Sequence, residues 1–246
     1  GFRATRYFFD IWRQVRYGLV LGIAGTLGTV LARLNDLVVS RYFGTEGYAV
    51  YSAGLTDIPF LQFYTQSLAV VSLGQFALME KQKNWEGIRR LWDRILTSLY
   101  CATIPMVIVL VAVAKPLVLL MFTPAYVDAV PIFQINSLVK LQMLWNATLV
   151  LRALGRNDVT FWVNLGHLIV APFLFYVLLK EYGLVGVISG NLLIMMSLRL
   201  TQLAILNRVC GLRLRYFTTP REMYSFYREC AMTGRAWLDK YTLIRK

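Results

Sequence analysis

Three basic side chains, Arg33, Lys140 and Arg199, stand inside long apolar runs, and counting from the ends of those runs puts them at three different depths. A charge held in hydrocarbon costs at least about 2.5 to 3.5 kcal/mol on insertion scales, so each needs an acid, a polar ligand or water beside it. Cations spaced in this way suit an anion moving between two membrane faces. A phosphate or diphosphate group fits best, because the planar fork of arginine takes two oxyanion contacts at once. Asp36 lies one turn from Arg33, and Asp57 lies at a similar depth. These two acids are candidates either for ion pairing or for coupling movement to protons or sodium. For Arg33 the plainer alternative is a salt bridge to Asp36 or Asp57 that only locks helices together. No intramembrane acid stands near Lys140 or Arg199 in the sequence.

Neutral polar residues extend the set. Asn136 precedes Lys140 by one turn, Gln142 and Asn146 repeat that spacing, and so do Gln62 and Gln66. Amides donate and accept together, which suits sugar hydroxyls, although amide pairs also join helices. Arg33, Lys140, Arg199, Asn136 and Gln66 are therefore the candidate substrate-binding residues, with Asp36 and Asp57 as coupling or ion-pair residues. Gly22, Thr26, Thr29, Arg33, Asp36 and Ser40 form one helical stripe that must face protein or water. Asn164 and His167 share a face, and a lone histidine there reads as a hydrogen-bonded packing residue. Cys101, Cys210 and Cys230 are far apart and accompany a single histidine, so neither a disulfide framework nor a metal site is expected. No cofactor is expected either.

Six apolar segments position these groups: Tyr17 to Ser40, Ala49 to Leu78, Ile95 to Ala114, Val130 to Leu151, Val159 to Leu179 and Leu184 to Leu206. Each is long enough, at about 1.5 Å per residue, to cross a hydrocarbon core of about 30 Å. The predicted fold is an all-α membrane protein, a six-transmembrane-helix lobe over 17–210. Basic residues sort by side. Twenty of the 26 lie on alternate flanks, among them Arg3, Arg6, Arg13 and Arg16, the group from Lys81 to Arg94, Arg152 and Arg156, and nine from Arg208 to Lys246. The positive-inside rule then places both termini in the cytoplasm. The net charge of +13 is explained by topology, and no nucleic-acid partner is expected because the cations do not form one face.

Residues 1–16 place Phe8, Ile11, Trp12 and Val15 on one helical face, which predicts an amphipathic elbow in the headgroup region. Residues 211–246 predict a basic cytoplasmic tail with an interfacial helix carrying Met223, Phe226, Tyr227 and Cys230, attracted to anionic membrane lipids. Gly18, Gly22, Gly25 and Gly28 predict close approach of a neighbouring helix to the first crossing. Pro59, Pro105 and Pro172 fall inside predicted crossings, where they commonly kink a helix. The chain starts at Gly1 and reads as a piece of a longer protein.

The strings NDLVVSRYFGTEGYAVYSAG (Asn35 to Gly54), FTPAYVDAVPIFQI (Phe122 to Ile135), LRALGRND (Leu151 to Asp158) and YGLVGVISGN (Tyr182 to Asn191) resemble the polysaccharide-biosynthesis flippases. These are the O-antigen and exopolysaccharide exporters of the multidrug, oligosaccharidyl-lipid and polysaccharide exporter superfamily. The likeness runs from about Val15 to Gly211 and is to the C-terminal half of such a protein. It implies one half of a two-lobe, V-shaped exporter that works by alternating access. The implied cargo is a lipid-linked oligosaccharide turned from the cytoplasmic to the periplasmic leaflet of the bacterial inner membrane. It further implies a missing N-terminal lobe or a second copy as partner. A drug or peptidoglycan-precursor exporter of the same superfamily is the nearest alternative. A membrane-embedded enzyme needs a positioned acid or base in a cleft, and the apolar segments hold few, so the protein is expected not to be an enzyme. A scaffold of polysaccharide assembly remains the alternative if the polar stripe is fully paired and dry.

Overall fold

The computed structural model describes residues 2–57, 59–229 and 231–232, and every regular element among them is helical. Helix α1 (Phe2–Gly54) runs from the predicted elbow into the first apolar segment without a break. The side chains of Phe8, Ile11 and Trp12 lie outside the described ones, as do Trp237, Leu238 and Tyr241 of the tail. Helices α2 (Pro59–Lys81), α3 (Trp85–Ala112), α4 (Ala114–Met121), α5 (Ala129–Val139), α6 (Thr148–Ala153) and α7 (Asn157–Cys210) follow. Three stretches are long and apolar enough to cross a membrane by length and composition: Leu21–Gly54, Trp85–Ala112 and Asn157–Val209.

Neither α1 nor α7 is a single rod. Gly44 (φ 64°, ψ −160°) and Gly183 (φ 58°, ψ −136°) leave the helical region at a positive φ that a Cβ would resist. At each, the chain folds back. Asn35 Nδ2 donates to the Tyr51 hydroxyl at 2.9 Å across the first bend, and Gln202 Nε2 donates to Asn164 Oδ1 at 3.4 Å across the second. Residues 38 apart would stand ~57 Å apart on an unbroken helix, so the two arms of α7 run antiparallel. The two bends are neighbours, since a Cβ on Gly183 would come within 3.9 Å of Phe43.

Two predicted crossings are interrupted. The stretch expected over 49–78 breaks after Gly54, and Pro59, expected inside it, opens α2 instead, where its missing N–H leaves no bond unmade. The stretch expected over 130–151 passes from α5 into a 3-10 turn at Lys140–Trp145, then through Asn146 (φ −75°, ψ 64°) before α6 begins. No glycine or proline signals this second break. Irregular backbone at membrane depth is tolerated only beside protein or a wet cavity, and this break borders one.

Helix α3 shows how the core is built. Ile88, Trp92, Ile95, Leu99, Thr103, Val107 and Leu110 recur every three or four residues and are buried, while Ile108 and Val109 face outward. The same division on the other helices buries Leu31, Tyr51, Phe76, Ile132, Phe175, Ile188, Leu203 and Leu206 and leaves Phe63, Val70 and Phe173 exposed. Apolar side chains exposed in this number match a lipid-facing surface. Of the four predicted contact glycines only Gly28 is close to another helix, with Asn164 Nδ2 3.2 Å from where its Cβ would stand. Gly18, Gly22 and Gly25 have open space, and Gly25 lines a cavity. Pro105 and Pro172 do lie inside helices α3 and α7.

The tail begins as a strap. After Gly211 (φ 60°) residues 212–216 alternate inward and outward, with Leu212 and Leu214 in the core. Side chains of α3 satisfy its backbone carbonyls: Arg89 Nε donates to Leu212 at 2.5 Å, Trp92 Nε1 to Arg215 at 2.9 Å and the Tyr100 hydroxyl to Tyr216 at 3.2 Å. Trp145 Nε1 also donates to the Tyr216 carbonyl, at 2.6 Å. The predicted tail helix follows over 220–229, and its Tyr227 hydroxyl donates to the Cys101 carbonyl of α3.

Candidate functional site

The first arm of α1, the broken segment around Asn146, and both arms of α7 surround a cavity of about 440 Å³. Its position follows from the interruptions just described. Gln142, Asn146, Thr148 and Arg152 reach it from the break and α6; Asn157, Thr160 and Asn164 descend one face of the first arm of α7. Arg199 and Gln202 face them from the second arm, and Gly25, Gly28, Thr29 and Arg33 form the α1 wall. Small residues on α1 leave room that larger ones would fill.

Three guanidinium groups therefore share one space. Arg33 and Arg152 are exposed at its edge, and Arg199 is half-buried within it. Arg199 Nη1 donates to Thr148 Oγ1 at 3.0 Å and to Gln202 Oε1 at 3.4 Å, and Thr148 Oγ1 donates to Gln202 Oε1 at 3.0 Å. Gln202 passes the connection to Asn164, which donates to the Ala24 carbonyl at 3.0 Å. This chain of bonds fixes Arg199 by neutral oxygens alone. Among the described residues no carboxylate pairs with Arg152 or Arg199, and none lines the cavity. A cation neutralised by dipoles and not by a counter-charge retains its attraction for an anion, at a desolvation cost that an arriving anion would offset.

Several polar atoms at this wall have no protein partner: both amide atoms of Asn157, Thr160 Oγ1, Gln142 Oε1 and Arg199 Nε. Leaving a buried polar group unmatched costs on the order of 1–3 kcal/mol, so these five atoms, closed off behind the cavity surface, are a local cost to stability.

The predicted site residues divide between two places. Arg33 and Arg199 line the cavity just described, while Lys140 and Asn136 lie apart from it, beside a small void of about 20 Å³ with Thr56, Asp57 and Gln62. Lys140 does have an acid, contrary to the sequence reading: its ammonium is ion-paired with Asp57, which the break before α2 brings alongside. Asp36 pairs with Arg33 at 3.2 Å, the plainer of the two expectations for that arginine, and Asp57 takes no part. Gln66 is exposed on α2 outside both spaces. Within the helical stripe, Thr29 and Arg33 line the cavity, while the Thr26, Thr29 and Ser40 hydroxyls turn back to the carbonyls of Gly22, Gly25 and Leu37. His167 is hydrogen-bonded to the Val163 carbonyl and Ser197 at 2.9 and 3.1 Å, as a packing histidine would be.

Arg152, Asn157, Thr160 and Gln202 were not singled out by sequence reasoning. Arg152 reads as one more flanking cation. The spacing of Asn157, Thr160 and Asn164, three and four residues apart, was the available signal for a polar face.

The fold and this cavity define an all-helical protein with apolar helices of membrane-spanning length and a cationic space free of lining acids among the described residues. The model of the polysaccharide biosynthesis protein family matches residues 5–131, just over half of the chain, and the chain belongs to that family. No curated protein and no solved structure matches it. Family and helices together make it a membrane protein with a role in polysaccharide biosynthesis or export. The family match includes Arg33 and ends before Arg152, Asn157 and Arg199.

Proposed function

We propose that the chain is one six-crossing lobe of a transporter that turns a lipid-linked oligosaccharide from the cytoplasmic to the periplasmic leaflet of the bacterial inner membrane. The observation that carries this reading is the convergence of Arg152 and Arg199, neither of them paired with a carboxylate, on one cavity that Arg33, itself paired with Asp36, also lines. An anionic diphosphate headgroup supplies the missing charge, and its prenyl tail stays in the bilayer. The bends at Gly44 and Gly183 support six passes: residues 2–43, the interrupted pair 45–81, α3, the interrupted pair 129–153 and the two arms of α7. The distribution of Lys and Arg supports cytoplasmic termini, with the cavity toward the cytoplasmic leaflet.

Translocation needs no bond made or broken, and the cavity wall offers fixed hydrogen-bond donors with no acid or base to move protons. A single lobe does not enclose a substrate path, so a second lobe or second copy completes it, with alternating access by rocking the two against each other. The interrupted helices give this lobe its movable parts. In cells that depend on this chain for surface polysaccharide, Arg199→Ala and Arg152→Ala should each abolish export while the protein reaches the membrane at its normal level. Normal export by both variants would contradict the reading.

A further inference from the structure

The helix that follows the strap carries an inference of its own. It opens by reciprocal capping: the Glu222 N–H donates to Thr219 Oγ1 at 3.3 Å and the Thr219 N–H donates to the Glu222 carboxylate at 2.9 Å, with Pro220 where no N–H is needed. The helix then lies against α3. Thr218 and Thr97 share a hydrogen bond at 3.0 Å, and Cys101 Sγ donates to the Met223 carbonyl at 3.8 Å. Pro105 has no N–H, so the Cys101 carbonyl four residues before it loses its ordinary helical partner, and an unmatched carbonyl at membrane depth is costly. The Tyr227 hydroxyl takes that partner's place. Depth follows from the same contact. Cys101 is six residues inside the apolar run that begins at Ile95, which is ~9 Å along α3, and amphipathic helices that rest in a bilayer surface sit about 5–10 Å deep.

With Met223 and Tyr227 turned to α3, the face away from it is basic. Arg221, Tyr224 and Arg228 lie there three and four residues apart, and all are exposed, Tyr224 by 72%. Among the described residues no carboxylate is ion-paired with Arg221 or Arg228. From Arg208 to Lys246 the chain holds nine basic residues against three acids, Glu222, Glu229 and Asp239, so the segment as a whole is complementary to a negative surface. We propose that the face of Arg221, Tyr224 and Arg228 docks on anionic phospholipid of the leaflet beside α3. The two guanidinium groups take lipid phosphates, and the phenol ring between them stands at headgroup level. Phe217, 68% exposed just before the helix, adds an apolar contact. Lipid bound in this way keeps Tyr227 seated at the Pro105 notch, because a helix that left the surface would strip the Cys101 carbonyl of its donor.

The test uses the 246-residue chain in nanodiscs of phosphatidylcholine alone or of phosphatidylcholine with phosphatidylglycerol, and reads hydrogen exchange at the amides of 221–229. Protection should rise with the anionic lipid on the order of tenfold or more, and the double variant Arg221→Gln, Arg228→Gln should lose most of that difference. Tyr227→Phe should lower protection in both bilayers and keep the preference for the anionic one, since it removes the carbonyl cap and leaves the basic face intact. Equal protection of the unaltered chain in the two bilayers would overturn the proposal and leave this face to a protein partner. A difference undiminished in the double variant would overturn it as well, by assigning the lipid to other cations of the chain.

Discussion

Lys140 and Arg199 look alike as cations in apolar runs, but their surroundings separate their roles. Lys140 is neutralised by Asp57 where two interrupted helices meet, so its charge ties segments together; Arg199 is held by Thr148 and Gln202 and keeps its charge available. The pair should behave as a unit. Asp57→Ala or Lys140→Ala alone strands one charge, and with Asp57 half-exposed the expected loss is about 1–2 kcal/mol of stability for each. The double variant should recover most of it. Thermal unfolding in detergent reads the difference, and strictly additive losses would show that no coupling exists. The intramembrane cations were legible in the sequence because charge is rare and costly there. Arg152 was not, because it stands among other basic residues on a flank, and Asn157 was hidden because a polar residue beginning a helix is ordinary.

Among the elements, the strap shows what a pattern of hydrophobicity cannot convey. Residues 211–218 carry no long apolar run, and their order comes from α3 side chains more than 100 residues earlier that reach their backbone carbonyls. A junction in Glu222 completes it. The Thr219 backbone N–H at 2.9 Å and Arg215 Nη1 at 2.6 Å hold the Glu222 carboxylate at about 2, well below its ordinary 4.5. A lowered folded-state value means that this contribution is complete above about pH 4.5 and is lost as pH falls toward about 2. Trp145, which packs edge-on to Phe217 and donates to Tyr216, should therefore shift its fluorescence to the red across that interval as the strap loosens. Glu222→Gln should show a loosened strap at neutral pH and no such step; an unchanged pH profile in that variant would exclude Glu222 as the cause. The break at 140–147 was equally illegible, since neither glycine nor proline marks it and only its polar residues hinted at a wet neighbour.

At the level of the whole molecule, long apolar segments and sorted charge made the helical class readable, and the gaps expected between crossings at 41–48 and 180–183 contain Gly44 and Gly183, the glycines at which the chain folds back. The cavity exists because those bends bring both arms of α7 against the first arm of α1, so residues distant in sequence face one another. Arg152, on one of the basic flanks, lines it, so the positive-inside rule predicts access from the cytoplasmic side. Thr29, exposed on the α1 wall, is a suitable reporter. With Cys101, Cys210 and Cys230 replaced by Ser and Thr29→Cys introduced, a membrane-impermeant maleimide should label everted membrane vesicles and not right-side-out cells, and farnesyl diphosphate should protect the thiol. Labelling only from the outer face, or labelling that the diphosphate leaves unchanged, would contradict a cytoplasm-facing anion cavity.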